Sequence, residues 1–157
     1  MQLAEINYYI HNIYFYIFLG LSFLIIIFYL MPKNHIEKYD LKKIDKMKGL
    51  EFEIFIGEIL KNKGYLNVQV TKGSGDFGVD VICNHKRKKY VFQVKRYSNT
   101  VGVGAIQEIV AGKLYYKADQ AVAITNSYFT KAAIEMANKC NVRLINRDDF
   151  KRNNIYL

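Results

Sequence analysis

The hydrophobic pattern changes character along the chain. From Ile13 to Met31 it is unbroken, IYFYIFLGLSFLIIIFYLM, 19 residues with no charged side chain. A helix of roughly 20 apolar residues crosses a bilayer. Tyr8, Tyr9, Tyr14 and Tyr16 crowd one end and Tyr29 the other, as in an interfacial aromatic belt. Pro32 then stops the helix, having no N–H to donate. The pattern predicts an N-terminal segment 1–31 with one membrane span over 13–31. A cleaved signal peptide fits less well, because Glu5 is the only charge upstream and no small-residue cleavage site follows. A buried core helix fits less well too, because the stretch lacks a polar face.

Residues 32–48, PKNHIEKYDLKKIDKMK, read as a polar, basic linker. Beyond it the pattern acquires the periods of a folded domain, 49–157. Phe52, Phe55, Ile56, Ile59 and Leu60 recur at helical spacing over 49–64, with Gly64 as the stop and Glu53 at the edge of the stripe. Strands are predicted at 68–71, 79–84 and 89–95, with the triple-glycine loop KGSGDFG before the second and a turn at Lys86–Arg87. A helix at 105–117, with Ile106, Ile109, Val110, Lys113 and Leu114 on one side, a strand at 120–125, a helix at 129–140, a strand at 142–146 and a helical end at 148–151 complete the series. The order is α-β-β-β-α-β-α-β, an α/β fold with a mixed central sheet flanked by helices.

Charge changes the picture. The chain carries +9 overall, but every Lys and Arg follows Pro32, and only Glu5 of the 14 acidic residues precedes it. Lys33, Lys38, Lys42, Lys43, Lys46 and Lys48 follow the apolar stretch and nothing basic precedes it. The positive-inside rule then puts the N-terminus outside and the domain in the cytoplasm. A basic domain suits a polyanionic partner, nucleic acid or an anionic membrane surface. Cys83 and Cys140 have no metal-ligand spacing, which fits two reduced thiols rather than a zinc site.

The candidate chemistry lies in the hairpin. With the turn at Lys86–Arg87, residue 80 faces residue 93. Asp80 and Gln93 then share a face with Lys95, while Tyr90, Phe92 and Val94 point the other way. A one-residue slip of register separates them. One acidic, one amide and one cationic side chain thus converge beside a glycine-rich loop. The basic turn, Lys86, Arg87, Lys88 and Lys89 with neighbouring His85, together with Arg96, suits phosphate contacts that position DNA without reading sequence. Its plainer alternative is a solvated hairpin tip. Gln107, on the following helix, is a further candidate to face the site, although a role at the edge of the core accounts for it more simply.

The pattern FEIFIGEILKNKGY (52–65), GSGDFGVDVI (73–82), FQVKRY (92–97), Gly112, Thr125 and FTKAA (129–133) resembles the catalytic domain of Mrr-type restriction endonucleases, members of the PD-(D/E)xK nuclease superfamily. The resemblance covers nearly all of the predicted domain. It implies a restriction-endonuclease-like core and Mg²⁺-dependent hydrolysis of DNA phosphodiesters, with Mn²⁺ able to substitute. On this resemblance Asp80, Gln93 and Glu53 hold the metal. Lys95 is the catalytic lysine, and Asp76 is loop structure before it is a site residue. Gln93 stands where most of the superfamily has Glu or Asp. The resemblance implies DNA as partner, the apolar N-terminal helix adds the membrane, and a second copy of the chain is a further candidate, with no small-molecule cofactor expected. Two other readings remain open: an inactive nucleic-acid-binding or scaffold protein, motivated by Gln93, and a basic module that binds anionic lipid.

Overall fold

The computed structural model describes residues 2–30, 39–71, 77–153 and 155, and the side chains of its first helix over 13–27. The chain divides into two compact units, Met1–Ile36 and Glu37–Leu157. The first is helix α1 (Gln2–Leu30). Its described side chains include exposed Tyr14, Tyr16, Phe18 and Phe23. Among the described residues no helix is long and apolar enough to cross a membrane, so the structure does not support the span expected at 13–31.

The second unit begins with α2 (Leu41–Ile44), capped by the Asp40 carboxylate, which accepts from the N–H groups of Lys42 and Lys43. This short helix lies in the stretch read as a linker. It is built into the fold instead, because Ile44 is buried in the core. Then come α3 (Gly49–Asn62), β1 (Leu66–Val70), β2 (Val81–His85), β3 (Lys88–Lys95), α4 (Gly104–Tyr115), β4 (Gln120–Thr125), α5 (Lys131–Lys139), β5 (Val142–Ile145) and α6 (Arg147–Lys151). The predicted order of elements from α3 onward is the order observed.

The five strands form one sheet in the order β1-β2-β3-β4-β5. The β1–β2 and β2–β3 pairs are antiparallel, and β3–β4 and β4–β5 are parallel. Burial splits along the pleat. Phe92 and Val94 of β3, with Val122 and Ile124 of β4, join Phe52, Ile56 and Leu60 of α3 in one cluster. Val91 of β3, with Ala121 and Ala123 of β4, joins Ile106 and Ile109 of α4 and Ala133 and Ala137 of α5 in another. Alternating side chains on a strand face opposite sides, so β3 and β4 each feed both clusters. The alanines leave little bulk between β4 and the helices on that face. Leu114, predicted to be inward, is exposed; the buried positions of α4 are Ala105, Ile106, Ile109 and Gly112.

Candidate active site

The hairpin takes the predicted register: Val81 pairs with Phe92, Cys83 with Tyr90 and His85 with Lys88. Lys86 and Arg87 form the turn with φ of 47° and 64°. Two positive φ values in a two-residue loop match the twist of the flanking strands. Asp80 sits just before β2, and its N–H donates to the Phe92 carbonyl at 2.7 Å. Its carboxylate oxygen Oδ2 accepts from Gln93 Nε2 at 2.7 Å and from the Val94 N–H at 2.6 Å. The side chain thus serves as acceptor for a β3 backbone donor where β2 has not yet begun.

These bonds orient Gln93. A carboxylate only accepts, so the amide nitrogen must face Asp80 and Oε1 must face away. Gln93 is 2% exposed, and Oε1 is buried without a hydrogen-bond partner. An unmet buried acceptor costs about 1–3 kcal/mol. Such strain persists where a ligand relieves it or the surroundings enforce it.

Lys95, two residues along β3, places Nζ 3.0 Å from Oε2 of Glu108 on α4. The sequence reading missed Glu108. Its only signal was spacing: it lies three residues after buried Ala105 and four before buried Gly112. Gln107, weighed instead, is exposed. Two glycines allow α4 this approach. A Cβ on Gly78, whose φ is +73°, would lie 2.5 Å from Glu108 Cβ and 2.7 Å from Gln93 Oε1. A Cβ on Gly112 would clash with Val79 Cγ2. The end of the glycine-rich loop is therefore pressed onto α4.

The structure brings together Asp80, Gln93, Lys95 and Glu108. Glu53 is half-buried on α3, whose apolar stripe packs on the other face of the sheet. Among the described residues no three His, Cys, Asp or Glu side chains gather as a metal cluster. Asp76 lies outside the described residues. Lys86, Arg87 and Lys88 are exposed. Lys89 is half-buried and its Nζ donates to the Tyr116 carbonyl at 3.1 Å. His85 stacks on Tyr65 with ring centroids 4.3 Å apart.

A cleft of about 780 Å³ is lined by Arg96, Tyr97, Asn126, Tyr128, Arg147 and Asp45 among others. Arg96 follows β3, Asn126 follows β4 and Arg147 follows β5, so the cleft sits at the C-terminal ends of three parallel strands. Ligands of open α/β sheets bind at such ends. Arg147 grips Asp45 through Nη1 and Nη2, both at 2.8 Å, and Asn126 Nδ2 donates to Asp45 Oδ1 at 2.9 Å. The Arg147 hydrogen bonds, with smaller help from Asn126 and Arg96, hold the Asp45 carboxyl below its usual range against the opposing effect of burial. Arg96 reaches the Asp45 carbonyl at 3.4 Å, and its Nε is buried without a partner.

An Asp before a strand, a Gln and a Lys one residue apart on the neighbouring strand, and a flanking helix on a mixed sheet define the core of a restriction-endonuclease-like fold. Residues 44–153 match the restriction endonuclease family defined by the Mrr catalytic domain, and the chain belongs to that family. It is 30% identical over 104 residues to the type IV methyl-directed restriction enzyme EcoKMrr of Escherichia coli (strain K12), across 62% of this chain and 34% of that enzyme. The chain thus spans about a third of the length of this curated relative. Two solved structures share the fold. The DNA modification-dependent restriction endonuclease AspBHI superposes with a TM-score of 0.56 at 18% identity, over 71% of this chain and 33% of that one. The MspJI restriction endonuclease, solved in complex with a 27-mer oligonucleotide, gives 0.51 at 19%, over 71% and 28%.

Proposed function

We propose that the chain is a divalent-metal-dependent endodeoxyribonuclease that hydrolyses phosphodiester bonds, acting on foreign or modified DNA. The observation that carries this reading is the Asp80–Gln93 pair, with its orphaned Oε1, on the same strand face as Lys95. A carboxylate and an amide carbonyl are hard oxygen donors of the kind Mg²⁺ and Mn²⁺ take. The unpartnered Gln93 Oε1 fits such an ion, with Asp80 as the charged ligand and Glu53 as the further one that the family resemblance implies. When bound, the ion supplies Lewis-acid stabilisation and an acidified water.

The chain's own residues do the rest. Asp80 fixes the Gln93 amide. Lys95 is placed to hold the attacking water or to donate to the phosphate oxygens as charge builds on them. One positioned donor is worth roughly 2.7–4 kcal/mol, against barriers that enzymes lower by about 8–23 kcal/mol. Lys95 alone therefore falls short, which is why the reading includes a metal. Lys86, Arg87 and Lys88 position the duplex through phosphates. The relatives' names, methyl-directed and modification-dependent, support modified DNA as the substrate.

The test is plasmid cleavage by the full chain with Mg²⁺ or Mn²⁺, beside Lys95→Ala, Asp80→Asn and a chelator control, on methylated and unmethylated DNA. Metal-dependent cutting lost in both variants supports the reading. DNA binding without cutting under every condition favours the second reading, an inactive binding protein, to which the amide at position 93 points.

Membrane anchoring, with the N-terminus outside and the domain cytoplasmic, belongs to the same proposal. Its support is the uncharged, apolar sequence over 13–31 and the basic residues that follow it. Release of the full chain from membranes by alkaline carbonate counts against it. The expected homodimer is tested by light scattering of the full chain with and without duplex DNA.

A further inference from the structure

We propose that Glu108 is a further carboxylate of the cation site, supplying from α4 the acidic ligand that β3 lacks at Gln93. This rests on the metal-dependent reading above and adds to it a residue outside the strand motif.

Three observations converge. Gln93 is almost wholly buried, and its Oε1, turned away from Asp80, has no partner. A single point, the Cβ that Gly78 does not have, lies 2.7 Å from that oxygen and 2.5 Å from Glu108 Cβ. The backbone of Glu108 is thus held beside the orphaned acceptor, within reach of its own side chain. Its carboxylate pairs with Lys95 at 3.0 Å, and the Glu108 side chain is 49% exposed, so the pair is solvated and exchangeable. On β3 itself a divalent cation beside Gln93 Oε1 meets an uncharged amide. Glu108 supplies a carboxylate on that side, and Lys95 is released from its ion pair toward the substrate phosphate. Gly78 is required in this arrangement, since any side chain there occupies the space between oxygen and helix.

The experiment titrates Mn²⁺ into the full chain in a mild detergent and reads free Mn²⁺ by electron paramagnetic resonance, with thermal melting as a fold control. Wild type, Asp80→Asn, Glu108→Gln, Glu108→Ala and the double variant Gln93→Glu/Glu108→Gln are compared. Loss of a direct ligand weakens metal affinity at least as much as loss of an outer-shell partner, about 10–100-fold. That loss is expected in both Glu108 variants at unchanged melting temperature, with recovery in the double variant. Wild type that binds no Mn²⁺ overturns the metal-dependent reading and this inference with it. Binding that needs Asp80 but is indifferent to both Glu108 changes overturns the inference alone. Unchanged affinity with a shifted pH–rate profile for cleavage overturns it as well, leaving Glu108 as a positioning residue for Lys95.

Discussion

Asp45→Ala perturbs the contact that ties α2 to the ends of the parallel strands. The change removes the acceptor for two Arg147 donors and for Asn126 Nδ2. The ion pair is partly solvated, the Asp45 side chain being 38% exposed, so its share is about 0.2–1 kcal/mol. Asn126 is 3% exposed, and a buried donor left unmet costs about 1–3 kcal/mol. The expected loss is therefore about 1–3 kcal/mol, led by the amide and not the charge. With m-values of about 1–3 kcal/mol/M in urea, the midpoint falls by about 1 M. Asp45→Asn keeps one acceptor and should lose less. The pH dependence has a definite sign. Arg147 depresses the folded carboxyl's pKa, so the contribution is full above the unfolded value of about 3.9 and fades as pH falls through the lower folded value. Urea melts of wild type and both variants at neutral and acid pH check this. A loss under about 0.5 kcal/mol in Asp45→Ala, within the range of ordinary surface changes, refutes the reasoning.

Gly112→Ala should destabilise by about 1–3 kcal/mol through overpacking against Val79 and should lower cleavage, read by denaturation and plasmid assays. Lys86→Asn with Arg87→Gly, residues suited to the positive φ of that turn, should raise stability by about 0.5–2 kcal/mol. The same pair should flatten the salt slope of DNA binding by about 0.9 for each phosphate no longer neutralised. Burial pushes the Cys83 thiol up to about 12. Ellman's reagent at mild pH should therefore react with half-buried Cys140 and reach Cys83 only on unfolding. Because the unfolded thiol ionises first, stability from this group is full below its unfolded pKa and falls as pH rises past about 8.5.

Legibility differed by element. The register of β2 on β3 followed from a two-residue turn and strict alternation, so Asp80, Gln93 and Lys95 could be brought together from sequence alone. Glu108 could not, because its place depends on how closely α4 rides on Gly78 and Val79, which is tertiary packing without a periodic trace. The inward face of α4 was misjudged at Leu114 for a related reason: Gly112, not a large side chain, meets the sheet there. The segment around Ile44 read as a basic linker because its lysines mask one buried isoleucine and one gripped aspartate. Lys89 and Arg96, assigned to phosphates by charge, spend donors on the carbonyls of Tyr116 and Asp45.

The Asp80 carboxylate stands in for a neighbouring strand at the Val94 N–H. On the proposed nuclease reading an aspartate here is therefore kept by two separate demands, and a descendant without that activity would still be penalised for losing it. Presence of this Asp in a related chain is a weak sign of surviving activity. Lys95, whose described partner is the half-exposed Glu108 carboxylate, meets no such architectural demand among the described residues, and on the same reading its retention is the more telling mark of surviving activity.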